Sequence, residues 1–98
     1  MGMNMGLTNY RLFWELAKEV DWEWVVEERY MHFKVNDRYL VLPGAYPNVL
    51  EVCEVYMQNS TTTLNVLVRI SNCDKKSVSE IEAAVYYAIA MNRINASF

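Results

Sequence analysis

The chain is poor in the residues that most directly announce chemistry: 98 residues carry one histidine, two cysteines, three glycines and two prolines. One histidine and two unclustered cysteines give neither zinc-finger spacing nor a helical histidine pair, so no metal site and no cofactor are expected. Gly2, Gly6 and Gly44 are isolated, which excludes a phosphate-cradling glycine loop. Cys53 and Cys73 are too few for a disulfide scaffold and lack C-x-x-C spacing; reduced thiols in a cytoplasmic protein are the expectation. The segment Met1–Gly6 has no charged n-region or apolar h-region, and no apolar run approaches the roughly 20 residues of a membrane span. Without a secretory signal, Asn59-Ser60-Thr61 and Asn95-Ala96-Ser97 read as chance sequons.

What is present is apolar mass: 53% of the residues are hydrophobic and 21% charged, the composition of one domain over residues 1–98, with 1–7 expected as a flexible N-terminal tail. A chain of this length hides roughly 60 to 65% of its unfolded surface, so its stability is marginal and a homodimer would add to it. The net charge of −3 is unevenly spread. Residues 19–28 hold Glu19, Asp21, Glu23, Glu27 and Glu28 with no base, and the same ten residues contain Trp22 and Trp24.

Periodicity predicts an α+β fold. Thr8 is placed to cap a first helix reaching about Val20, because Leu12, Phe13, Leu16, Ala17 and Val20 form one stripe. The pattern breaks near Asp21, and two tryptophans with Val25-Val26 favour extended chain up to Glu28. Met31, Phe33 and Val35 alternate before Asn36-Asp37, and Leu40 and Leu42 after it. A two-residue turn there pairs Phe33 with Leu40 and Met31 with Leu42 on one face. Pro43–Pro47 reads as a loop.

Residues 48–58 carry two signals. Asn48-Val49-Leu50-Glu51 resembles a capping box, whereas a loop at residues 59–62 would set Met57 opposite Leu64, Val55 opposite Val66 and Cys53 opposite Val68; the hairpin is preferred. Ser77-Val78-Ser79-Glu80 is a capping box that opens a last helix to about Ile94, with apolar residues over most of its circumference. The expected architecture is an N-terminal helix, a four-stranded antiparallel β-meander and a C-terminal helix in two layers, both helices on one sheet face.

Catalysis by a nucleophile needs a base beside it and a group to orient that base. Cys73, ahead of the last helix and next to Lys75-Lys76, is the candidate thiol, with His32 as the lone base and nothing local to join them. Acid pairs at Glu51/Glu54 and Glu80/Glu82 read as solvated charges or caps. The order helix, strands, helix with Lys75-Lys76 before an alanine-bearing helix loosely resembles a double-stranded-RNA-binding domain, which would imply an RNA-binding module. The glycine-rich turn before the lysines is missing, the sheet region is too long and the net charge has the wrong sign, so nucleic acid is not the expected partner.

Two surfaces suit a protein partner. Trp22, Glu23, Trp24, Glu27 and Glu28 combine large apolar anchors with clustered negative charge, which fits a basic partner; the alternative is that both tryptophans are core and only the acids face water. The hairpin registers assign Tyr30, His32, Tyr39, Val41, Val52, Glu54, Tyr56, Leu67 and Arg69 to the sheet face away from the helices, where three tyrosines among aliphatics have the composition of a contact patch. The expected function is a small non-catalytic protein-interaction module, an inhibitor or immunity-type protein docking on a larger basic, nucleic-acid-handling partner. An accessory enzyme subunit or thiol enzyme using Cys73 is the alternative.

Overall fold

The computed structural model describes residues 3–28 and 30–96, with side chains described from Asn9 onward. Helix α1 (Met3–Ala17) is followed by β1 (Glu23–Val26), β2 (Met31–Lys34), β3 (Tyr39–Pro43), β4 (Leu50–Gln58) and β5 (Thr61–Ile70). A short 3-10 turn (Cys73–Lys75) then leads into α2 (Val78–Ala96). The strands form one antiparallel sheet in the order β1-β2-β3-β4-β5. The fold is α+β as expected, but the meander has five strands. The extended stretch after Asp21 pairs with β2, Trp24 opposite Phe33 and Val26 opposite Met31, and so extends the sheet. The first helix begins at Met3, upstream of Thr8, so residues 3–7 belong to α1 and Thr8 is not its cap.

Both helices pack on one face. Phe13 of α1 stacks on Phe33 of β2 with ring centroids 4.7 Å apart, and the Tyr39 hydroxyl of β3 donates to Asn92 Oδ1 of α2 at 2.7 Å. Between them lies one cluster built from Phe13, Leu16, Phe33, Val41, Leu50, Val52, Ile81 and Val85 with their neighbours. At roughly 25 cal/mol per Å², each fully buried aliphatic or aromatic side chain contributes about 1.5–3 kcal/mol. The capping box forms as read: the Glu80 N–H donates to Ser77 Oγ at 3.2 Å and the Ser77 N–H to the Glu80 carboxylate at 3.1 Å. Of the apolar girdle on α2, the stripe Ile81, Val85, Ile89 is buried, while Tyr86, Tyr87, Met91 and Ile94 are exposed.

The register of the β2–β3 hairpin decides which side chains enter this core. Asn36 Oδ1 accepts from the N–H groups of both Arg38 (2.8 Å) and Tyr39 (3.0 Å), and the Val35 N–H donates to the Tyr39 carbonyl at 3.0 Å. Asn36 thereby organises a three-residue loop, as Asx side chains do. Phe33 consequently faces Val41, not Leu40. A one-residue shift exchanges the faces of a strand. Tyr39 and Val41 are buried with Phe33, and Leu40 and Leu42 turn to the other side.

The β4–β5 hairpin closes more tightly than expected. Asn59 and Ser60, with φ of 53° and 67°, form a two-residue turn with both central residues left-handed, the twist that suits antiparallel strands. Met57 pairs with Thr62, Val55 with Leu64 and Cys53 with Val66. A shift of two residues keeps the faces, but a bulge at Val52/Cys53 then sets Val52 opposite Val68 and leaves Leu67 as the extra residue.

The loop before β4 is fixed by backbone. Asn48, at φ 61°, donates its N–H to Asn9 Oδ1 at 3.1 Å and accepts at its carbonyl from the Cys73 N–H at 3.0 Å. Gly44 donates to the Val49 carbonyl at 2.7 Å, and a Cβ on Gly44 would come within 2.7 Å of Val49 Cγ1, so the close approach requires glycine.

Candidate docking surfaces

The eight residues singled out for partner binding separate into two groups. Trp22 is only 6% exposed: its ring packs edge-on to Phe33 and Tyr86, and its indole N–H donates to the Tyr86 hydroxyl at 2.8 Å. Trp24 is half-buried between Tyr10 and Phe33, with centroids 5.2 and 6.2 Å away. Tyr39 is buried. Trp22 and Tyr39 belong to the core cluster and Trp24 packs against it, closing the core where α1 ends. Glu23, Glu27, Glu28, Tyr30 and Tyr56 are exposed. The acids line the β1 end of the molecule together with Glu19 and Asp21, which are exposed as well. There the Glu27 N–H donates to the Tyr30 carbonyl at 2.8 Å, and the Tyr30 hydroxyl, hydrogen-bonded to the Glu27 carboxylate, is held above the ordinary phenol range.

The patch expected opposite the helices is dispersed by the same register shift. Tyr39, Val41 and Val52 lie in the core, and Leu67 packs against it. Glu54 is nearly buried, its Oε2 receiving Arg38 Nε at 2.8 Å and Nη2 at 2.6 Å. His32 and Arg69 do sit on the open side, Arg69 paired with Glu51 at 2.9 Å.

What occupies the open face instead is aliphatic. Strand alternation from the observed register puts Leu40 and Leu42 of β3, Cys53 and Val55 of β4, and Leu64 and Val66 of β5 on the side away from both helices. Leu64 and Val66 are 45% and 39% exposed, Leu40, Leu42 and Val55 are half-buried, and Cys53 is buried among them. An antiparallel sheet face in water normally reads polar. Here the charges stand at its borders: Glu23 with Lys34 towards β1, and Glu51 with Arg69 towards the other end. The sequence signal was the apolar ladder Leu40, Cys53, Val55, which alternation alone assigns equally well to core or open face.

The chemistry available at the thiols is weak. Cys73 is buried and donates its S–H to the Ile70 carbonyl at 3.3 Å; burial raises its pKa, with Lys76 pulling only partly against this. Burial, with Glu51 adding to it, pushes the Cys53 thiol up to about 11. Neither is thiolate near neutrality, and His32 belongs to β2 on the open face, a different layer from Cys73. A cleft of about 890 Å³ runs between α1 and the start of α2, with Leu16, Cys73 and Ile81 at its floor. Its walls mix Arg11, Glu15 and Glu19 with Asp74 and Lys76, so no single ligand charge is favoured. Lys75 and Lys76 stand beside Asp74, and the N-terminal N–H of α2 is already taken by its own cap.

Among the described residues, no helix is long and apolar enough to cross a membrane, and no three His, Cys, Asp or Glu side chains converge as metal ligands would. In comparisons with protein families, with curated proteins and with solved structures, the chain matches none.

Proposed function

We propose that this chain is a small, non-catalytic, cytoplasmic protein-binding module of the inhibitor or immunity type, which docks its open sheet face on a larger protein with a basic surface, such as one that handles nucleic acid. The observation that carries this reading is the aliphatic sheet face that neither helix covers, bounded at its β1 end by Asp21, Glu23, Glu27 and Glu28. An apolar patch of this kind supplies binding energy, and a local excess of acids steers a cationic partner and sets its orientation. Proteins that bind nucleic acid present Lys- and Arg-lined grooves, to which such a rim is complementary. The burial of both thiols supports a binding role over thiol catalysis.

The test compares partners captured from lysate by the wild-type chain, by Glu27→Lys with Glu28→Lys, and by Val55→Lys on the open face, all checked for unchanged melting. The expected result is one basic protein held by the wild type in a salt-dependent manner and lost from both variants. Retention of every captured protein by both variants would move the docking site off this face and rim. Complete loss of biological activity in a folded Cys73→Ala variant would establish the enzyme reading in its place.

A further inference from the structure

The two edges of the sheet are built differently. β1 is four residues long and is flanked by exposed Asp21, Glu27 and Glu28. Charge and shortness are the usual means by which a sheet edge is kept from pairing with another chain. β5, at the opposite edge, is ten residues long, and its eight residues Thr61–Val68 carry no charge and no proline. Its first half, from Thr61 to Val66, is exposed apart from the half-buried Thr63.

The two-residue turn fixes which backbone groups that edge offers. Residues flanking such a turn, here Gln58 and Thr61, exchange both ladder hydrogen bonds, and the pattern alternates along the strands. Thr61, Thr63 and Asn65 therefore point their N–H and C=O groups at β4, whereas Thr62, Leu64 and Val66 point theirs outward. The regular stretch runs from Thr61 to Val66, beyond which Leu67 is the bulged residue.

We propose that β5 pairs with the β5 of a second copy of this chain, antiparallel about a twofold axis at Leu64, joining two five-stranded sheets into one of ten strands. Three features select a second copy as the occupant. Centring on Leu64 keeps the pairing from Thr62 to Val66 clear of the bulge at Leu67, and it matches outward groups with outward groups: Leu64 with Leu64, Thr62 with Val66. It sets Thr63 beside Asn65 on the other face, so polar meets polar. The pairing segment is uncharged, so two molecules of net charge −3 meet where neither carries charge, while the acidic rims stand at the far edges of the joined sheet. Because β1 is guarded, β5 has no β1 of another copy to join, and the assembly closes at two. The open aliphatic faces of the copies become continuous across the axis. A five-residue strand pair buries less than the roughly 1,200 Å² of a standard interface, which places the dimer in the weak, micromolar class.

The test is sedimentation equilibrium of the purified full chain up to on the order of 100 micromolar. Wild type is expected to rise towards twice 11.5 kDa with concentration. Leu64→Lys, at a 45% exposed position, sets two lysines face to face on the axis and is expected to weaken the dimer at least tenfold with its melting unchanged. A hydrogen-bonded antiparallel pair has its Cα atoms about 5.5 Å apart, within disulfide reach. Leu64→Cys is therefore expected to form a covalent dimer with oxidised glutathione as oxidant, and Thr61→Cys, whose partner would be Leu67, to do so far more slowly. Monomer at every concentration overturns the proposal, and so does a dimer that Leu64→Lys leaves intact or equal linking at both cysteine positions. These measurements need no heterologous partner, so their failure leaves the docking reading untouched, and the converse holds.

Discussion

The indole N–H of Trp22 meets the hydroxyl of Tyr86 at 2.8 Å, tying the start of β1 to the middle of α2 across 64 positions of sequence. The indole is buried while Tyr86 is about half exposed, so the donor depends on that hydroxyl far more than the hydroxyl depends on the donor. Tyr86→Phe is expected to cost about 1–3 kcal/mol by stranding the buried N–H, and Trp22→Ala about 3–5 kcal/mol by opening a cavity beside Phe33. Urea midpoints check both. Trp22→Ala with an unchanged midpoint and lost partner binding would return Trp22 to the contact surface.

Arg38 and Glu54 form a further polar contact at the rim of the core. Because the carboxylate is nearly buried and the guanidinium largely exposed, removal of the arginine is the damaging half of the exchange. Arg38→Ala is expected to lower the melting temperature, and Arg38→Lys to recover only part of the loss, since an ammonium cannot present two N–H donors in one plane. Thermal melts of the pair measure it.

Cys53 predicts an alkaline limit. Its pKa is raised in the fold from 9.0 to about 11, so the folded chain holds a proton that the unfolded chain releases. That contribution is complete below pH 9.0 and is lost as the pH climbs through about 11. Cys53→Ser, which places a hydroxyl in an apolar setting, should be less stable at neutral pH but show a flatter decline above pH 9.0. In the native wild type, both thiols should react with an alkylating reagent only as fast as the chain opens, measured near neutrality.

At the start of α2 the sign is reversed. The Ser77 N–H and hydroxyl both bond the Glu80 carboxylate, holding its pKa below the usual 4.5, so its stabilisation is present above that value and disappears as pH falls. Ser77→Ala should lose about 1 kcal/mol of stability at pH 7, measured by urea titration, with a shallower acid dependence than wild type.

Charge reversal at Glu27 and Glu28 should act on partner association through the rate and its salt dependence. Surface plasmon resonance at two ionic strengths would show the association rate of the double variant falling at low salt and converging with wild type at high salt. Equal rates at low salt would exclude the acids from the encounter.

Local signals in the sequence were reliable where one residue type does one job. Ser77 and Glu80 announced α2, the Phe13, Leu16 stripe announced α1, which ends at Ala17 short of the expected Val20, and residues 50–58 were legible as a strand from their apolar ladder. The face assignment was not legible, because it depends on a loop's parity and both sets of alternating residues on β3 and β4 are apolar. Asn36-Asp37 reads as a two-residue turn, but the Asn36 side chain bonds two successive N–H groups and draws Arg38 into the loop. That single carboxamide moves Tyr39 and Val41 inward and turns the half-buried Leu40, Val55 ladder to the side away from the helices, relocating the candidate docking face. β1 was missed as a sheet member for a different reason: four residues, Glu23 to Val26, are too short a run to show alternation and declare a partner.

Asn48 joins three stretches of chain that are remote in sequence through two backbone atoms: its N–H answers to Asn9 in α1 and its carbonyl to the amide of Cys73. Undocking α1 leaves the Asn48 amide without its acceptor, and swinging the β5–α2 junction away strips its carbonyl. The loop therefore acts as a latch, so that the two helices are released in one event and not in succession. Deuterium uptake should record this as matched protection at the Asn48 and Cys73 amides, both opening with the whole domain, even though the first of them sits in a surface loop where fast exchange would ordinarily be the rule.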